Sequence, residues 1–319
     1  MVEKKTALIT GGSGFVGTNL TQRLLGLNYR VLSLDNFYSS DSENTELFTN
    51  NPDYSFICHD VRRPLPVKEK VDMIFHLACP ASPPVYQKDP LFTLETAVLG
   101  VQNVLKLAQK NNCPLFFAST SEIYGDPLSH PQKETDWGHV NPIGPRSCYD
   151  EGKRIGETFC REYARLGVDV RVGRIFNTYG PFMNPKDGRV VSNFINQALA
   201  GKPLTVYGKG EQTRSFCYIS DLLDGILAVI NLGKSNFGPF NLGNSEEVTI
   251  LKLAKTVLRL VPESKSKIKY LLLPIDDPRQ RRPSLRKAVK VLRWRPKVSL
   301  EQGLEKTVSF FKKNEKRFL

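Results

Sequence analysis

Thr6-Ala-Leu-Ile-Thr-Gly-Gly-Ser-Gly-Phe-Val-Gly17 is the stretch on which the fold turns. Thr6–Thr10 is an apolar run with the length of a buried strand, and Gly14–Leu25 repeats apolar residues at helical spacing. Between them, Gly11, Gly12, Gly14 and Gly17 fit G-x-G-x-x-G counted from Gly12, or G-x-x-G-x-x-G counted from Gly11. A strand that turns through glycine into a helix brings backbone close to a pyrophosphate. The helix start then offers unpaired N–H groups and partial positive charge. Glycine-rich turns also occur without ligands, so the context matters. Asp35 ends the next strand-like run, 21 residues beyond Gly14. A carboxylate there accepts hydrogen bonds from a ribose 2′-hydroxyl and repels a 2′-phosphate. The expected cofactor is therefore NAD, with Asp60, just after the third run, placed near the adenine edge.

Further apolar runs at Arg30–Leu34, Tyr54–Cys58, Asp72–His76, Leu115–Ser119 and Val168–Ile175 read as strands. Leu91–Lys110 and Glu151–Leu166 read as helices between them. Parallel strands need crossover connections, so this alternation predicts an α/β fold: a Rossmann-type doubly wound parallel sheet. After about Gly180 proline and glycine become frequent, and short extended pieces alternate with helices. We divide the chain into a dinucleotide-binding domain, 1–180, with chain exchange after 180, and a smaller α/β substrate-binding part, 181–319. Pro278–Pro283 is a basic segment expected to be non-helical.

Composition narrows the class. The chain has 319 residues, 40% hydrophobic and 24% charged, which is ordinary for a globular protein. No unbroken run approaches the roughly 18 apolar residues of a membrane span, and no cleavable leader precedes the first strand. A cytoplasmic protein without a membrane partner is the expectation. Six scattered cysteines lack C-x-x-C or zinc-ligand spacing, so reduced thiols and no metal are expected. The net charge of +13 lies in the last quarter, where Lys234–Leu319 carries 21 Lys and Arg against 8 Asp and Glu. A basic bias suits nucleic acid, a membrane surface or a phosphorylated ligand. No aromatic-rich RNA-binding motif or helix-turn-helix signal accompanies it, so a nucleic-acid partner is not expected.

Two further elements carry chemistry. Tyr149-Asp-Glu-Gly-Lys153 sets a phenol and an ammonium four residues apart on one helical face. If Lys153 stabilises the phenolate, lowering a tyrosine pKa from about 10 to near 7 takes roughly 4 kcal/mol. Such a phenolate takes a proton from a substrate hydroxyl while hydride leaves for nicotinamide. The second element, Ser119-Thr-Ser-Glu-Ile-Tyr-Gly125, follows the fifth strand, at the end where open parallel sheets bind ligands. Thr120 and Ser121 hydroxyls and the Glu122 carboxylate suit sugar hydroxyls, although Ser and Thr also cap turns well.

The glycine loop, the Ser-Thr-Ser-Glu element and the Tyr149/Lys153 pair, in this order, resemble the extended short-chain dehydrogenase/reductase family. Within it the similarity is greatest to the UDP-glucuronate decarboxylases. It is densest in His76–Pro84, Ser119–Asp126, Trp137–Lys153, Arg174–Pro181 and Asp187–Phe194, and it continues through Leu204–Asp221 and Arg281–Arg286. The resemblance implies that Tyr149 and Lys153 are the catalytic pair, with Thr120, Ser121, Glu122 and Arg281 also catalytic. It implies Gly11, Gly14, Phe15, Val16, Gly17, Asp35, Asn36, Asp60, Val61 and Leu77 around NAD. Around the UDP-sugar it implies Tyr86, Asn177, Arg189, Val190, Asn193, Tyr207, Gln212, Arg214 and Arg281. The two arginines are physically apt, because guanidinium forks match phosphate or carboxylate bidentately. It further implies a homodimer packed through Leu91–Lys110 and Glu151–Leu166. A nucleotide-sugar 4-epimerase or 4,6-dehydratase is the alternative. Dehydratases carry Asp-Glu where this chain has Ser121-Glu122, and epimerases lack the Glu. One departure is local: after Asp35-Asn-Phe37 the chain runs Tyr-Ser-Ser-Asp-Ser, where relatives usually carry Thr-Gly.

Overall fold

The computed structural model describes residues 4–186, 188–234, 236–273 and 280–314. Asp187, Pro278 and Arg279, named above, lie outside the described residues. The first part runs β1 (Thr6–Thr10), α1 (Phe15–Gly26), β2 (Arg30–Asp35), α2 (Glu43–Glu46), β3 (Tyr54–Cys58), β4 (Met73–His76), α3 (Pro83–Tyr86), α4 (Pro90–Asn111), β5 (Leu115–Thr120), α5 (Ser147–Arg165) and β6 (Val170–Ile175). Beyond it lie β7 (Thr178–Tyr179), α6 (Val190–Leu199), β8 (Leu204–Tyr207), β9 (Thr213–Ser215), β10 (Cys217–Tyr218), α7 (Ile219–Ile230), β11 (Phe240–Leu242), β12 (Glu247–Thr249), α8 (Ile250–Leu260), β13 (Ile268–Leu271), β14 (Gln280–Arg281) and α9 (Leu300–Lys313).

Seven strands form one sheet in the order β11-β6-β5-β4-β1-β2-β3. Every neighbouring pair is parallel. β1, β4 and β5 are wholly or almost wholly buried, which is why they read as continuous apolar runs and not as alternating ones. The sheet is the predicted doubly wound Rossmann type, with its order reversing between β1 and β4. Ligand crevices form outside the carboxyl ends of strands at such a reversal. There the glycine loop after β1, Leu77–Cys79 after β4 and Thr120 at the end of β5 converge.

The chain beyond residue 180 does not stand apart, since β11 pairs with β6 and completes the sheet edge. A three-stranded sheet, β12-β9-β14, faces the crevice from the other side. Its β9–β14 pairing sets Arg214 directly opposite Arg281, so two guanidinium-bearing residues share one register position.

Helix α4 corrects one expectation. By length and mean hydropathy it is long and apolar enough to cross a membrane, although Thr93 and Glu95 interrupt the run. Half of it is buried in the protein, with Val101, Val104 and Leu105 packed on the sheet. α5 lies close against it because Gly152 has no side chain: a Cβ there comes within 2.8 Å of the Ala97 Cβ. All six cysteines are free, as expected.

Candidate active site

The glycine loop is shaped by close approach. A Cβ on Gly17 falls 2.1 Å from the Gly11 carbonyl oxygen, so no other residue lets α1 start so near β1. Helix α1 has Gly14 as N-cap, no side-chain cap and no acidic residue in its first turn. Its leading N–H groups thus have no acidic side chain of their own turn to meet them, which fits a pyrophosphate. A groove of about 330 Å³ follows this loop, lined by Gly11, Gly14, Phe15, Val16, Gly17, Leu77 and Arg189 among others. A smaller compartment of about 80 Å³ adjoins it, where Asp35, Asn36, His59 and Val61 lie.

Asp35 is tied into this region. One carboxylate oxygen accepts from Ser13 N at 3.0 Å, and the other from Phe37 N at 2.9 Å and Ser40 Oγ at 2.8 Å. Burial raises its pKa, against the pull of those hydrogen bonds. The Asp60 carboxylate is gripped by Arg62, at 2.8 Å to Nη2 and 3.0 Å to Nε. Its neighbours His59 and Val61 line the smaller compartment.

The reacting groups line a third cavity of about 320 Å³. α5 begins at Ser147, which puts Tyr149 in its first turn and Lys153 one turn later. Lys153 Nζ donates to the Ala118 carbonyl at 2.8 Å and sits 5.9 Å from the Tyr149 ring centroid. Both side chains are buried. Burial lowers the Lys153 pKa and pushes the Tyr149 phenol up; the Cys79 thiol adds to that rise, and the Thr120 hydroxyl beside it pulls the other way. The direction is opposite to the expected depression toward neutrality, because burial is the largest influence on the phenol. Tyr86 stacks on Tyr149, with centroids 5.2 Å apart and planes 2° from parallel. It backs the phenol and is not among the residues that line the cavity.

Glu122 is the electrostatic centre. Arg281 grips it bidentately, at 2.5 Å to Oε1 and 2.7 Å to Oε2, and Arg146 Nη2 donates to Oε2 at 2.6 Å. Burial pushes the carboxyl up, yet the two guanidiniums outweigh it and hold its pKa below the usual range. Thr120 both lines the cavity and caps the turn after β5, its hydroxyl accepting from Glu122 N at 3.2 Å. Ser121, Asn177, Arg189, Val190, Asn193, Tyr207, Gln212 and Arg214 all line the same cavity. Two of these are held locally, Asn193 by the Gly188 carbonyl and Gln212 by that of Tyr207.

Arg146 and Asp150 escaped the sequence reading. They stand four residues apart, 4.0 Å between Nε and Oδ2, at the start of α5. That spacing was visible, but nothing in it showed Arg146 reaching a carboxylate 24 residues earlier. Burial, followed by the nearby Glu122 charge, raises the Asp150 pKa to about 7. Among the described residues no cluster of His, Cys, Asp and Glu is suited to a metal ion.

Residues 7–243 match the model of the NAD dependent epimerase/dehydratase family. The chain belongs to that family. It is 51% identical over 312 residues to UDP-glucuronic acid decarboxylase 1 of Xenopus tropicalis, covering 98% of this chain and 73% of that one. It is 49% identical over 306 residues to UDP-glucuronic acid decarboxylase 1 of Arabidopsis thaliana, covering 96% and 69%. Among solved structures, UDP-glucose 4-epimerase of Thermotoga maritima with UDP-glucose superposes with a TM-score of 0.88 at 28% identity, covering 97% and 99%.

Proposed function

We infer that this family member is an enzyme that decarboxylates UDP-glucuronate to UDP-xylose. The observation that carries the reading is Glu122 clamped between Arg281 and Arg146 in the cavity that also holds Tyr149 and Lys153. The decarboxylases named above share about half of this chain's residues, whereas the epimerase structure shares 28%. That difference sets the epimerase and dehydratase alternative aside.

Gly11, Gly14, Phe15, Val16 and Gly17 would hold the pyrophosphate of NAD, and Asp35, Asn36 and Val61 would lie on its adenosine side. The chemistry drawn from bound NAD is a reversible hydride exchange at sugar carbon 4, which creates a ketone β to the sugar carboxylate. Tyr149 receives the proton of the carbon 4 hydroxyl and later returns it, with Thr120 positioned to share a hydrogen bond. Lys153, fixed on the Ala118 carbonyl, keeps its positive charge beside the phenol. Arg281 and Arg146 carry two positive charges against the one of Glu122. The cluster thus presents a net positive charge to an anionic sugar, and carbon dioxide leaves from a site where the enolate is electrostatically supported. Glu122 and Arg281 support protonation of carbon 5. Arg214, in register with Arg281, faces the diphosphate.

We further propose a cytoplasmic homodimer that pairs through α4 and α5, where Leu91, Leu94, Leu99 and Ile155 are exposed. The test of the activity is mass spectrometry of products from UDP-glucuronate with NAD, run beside UDP-glucose and UDP-galacturonate. A UDP-pentose and carbon dioxide from UDP-glucuronate alone are expected. An epimerised hexuronate with no loss of carbon dioxide overturns the reading.

A further inference from the structure

The stretch after Asp35, where the sequence departs from its relatives, forms a strap beside the adenosine compartment. Phe37 adopts a left-handed backbone, φ 59°, uncommon for a bulky residue, and stacks on Phe56 of β3 at 5.1 Å. That turn throws the next side chain across the groove. The Tyr38 ring lies on Phe92, centroids 3.9 Å apart and planes 19° from parallel. Phe92 sits in the first turn of α4, and the Arg62 guanidinium lies 4.2 Å from its centroid. Tyr38 and Arg62 thus both pack against the Phe92 ring. Asp60 and Glu95 fix the Arg62 end, the latter at 2.7 Å. Ser40, on the Asp35 carboxylate, and Asn44, whose amide donates to the Ser13 carbonyl at 2.8 Å, pin the strap to the glycine loop.

Tyr38 lines both the adenosine compartment and the pyrophosphate groove. A dinucleotide lying along these two compartments passes beneath the strap. The reaction inferred above returns its hydride within each cycle, so it gains nothing from releasing the cofactor. We propose that the Tyr38–Phe92 stack is a latch that slows dinucleotide release, making Tyr38 a positioning residue for the cofactor. The proposal rests on reading this groove as the NAD site.

The experiment loads the full chain with 1,N6-etheno-NAD and follows its fluorescence during a chase with excess NAD, which reads the dissociation rate apart from turnover. Aromatic pairs of this kind support release slowed by about 2- to 10-fold, so Tyr38→Ala and Phe92→Ala are each expected to speed release by that factor. The double variant is expected to release no faster than the faster single one, because both changes break the same contact. Tyr38→Phe, which keeps the ring, is expected to release as the wild type does. Release from Tyr38→Ala at the wild-type rate overturns the latch, as does a double variant whose effect is the product of the two singles. Wild-type protein that takes up no dinucleotide sinks the NAD reading itself, and the latch with it.

Discussion

Replacing Asp150 with asparagine is expected to stabilise the protein, and more so as pH rises. Asp150 is buried, one of its oxygens has no hydrogen-bond partner among the described residues, and its pKa is raised from 3.8 to about 7. The folded protein therefore binds a proton on Asp150 that the unfolded chain has already lost between those values. Stability falls as pH climbs through that window and levels off above it. Each pH unit is worth about 1.4 kcal/mol, so the raised pKa costs the fold about 4 kcal/mol above pH 7 and about 2 kcal/mol at pH 5.5, where only the unfolded chain has lost the proton. With about 2.1 cal/mol/K of unfolding entropy per residue, a chain of this size gains about 1.5 °C per kcal/mol. Asp150→Asn is thus expected to raise the melting temperature by about 3 °C at pH 5.5 and about 6 °C at pH 8.5. Scanning calorimetry at both pH values checks it. The groups facing Asp150 are Arg146, Glu122, Arg281 and Glu151, and protonated Asp150 leaves the Glu122 cluster with its surplus positive charge. For wild type, KM for the anionic substrate is then expected to rise above pH 7, and for Asp150→Asn it is not. A melting gain that is flat with pH, or a loss at pH 8.5, refutes the reasoning.

Tyr149→Phe removes the proton carrier and leaves the ring stacked on Tyr86, so turnover is expected to fall by about 10²- to 10⁴-fold. Calorimetric NAD uptake should remain near wild type, and near-normal turnover removes Tyr149 from its role. Light scattering is expected to give twice the chain mass of 36.0 kDa. Leu99→Glu, on the exposed face of α4, is expected to halve that value, and a wild-type mass of one chain overturns the dimer.

The sheet was legible because its central strands β1, β4 and β5 are buried on both faces and its first turn is built on glycine. β1 and β3 have the ends expected from the apolar runs alone, and the two crossover helices α4 and α5 lie where helical periodicity put them. α5 starts at Ser147, four residues before the expected Glu151, because Arg146 and the turn before it supply the helix start. What stayed hidden is contact across sequence distance. The Glu122–Arg281 clamp joins residues 159 apart, and only the β9–β14 register brings Arg281 to the end of β5. Position suggests Asp60 as an adenine partner, and it carries no sign of the Arg62 contact made two residues on.

The phenol shows where local chemistry stops. One positive charge about 6 Å away, at an effective dielectric near 20, stabilises a phenolate by about 3 kcal/mol, roughly two pH units. Lys153 Nζ lies 5.9 Å from the Tyr149 ring centroid, and burial, the largest influence on the phenol, pushes its pKa up. The Tyr149–Lys153 spacing therefore does not make a base by itself. A second cation in the cavity, of the kind an oxidised nicotinamide carries, adds a contribution of similar size, and excluding water strengthens both. Dryness thus works in two directions: it favours the protonated phenol, and it magnifies each attraction between charges in the cavity.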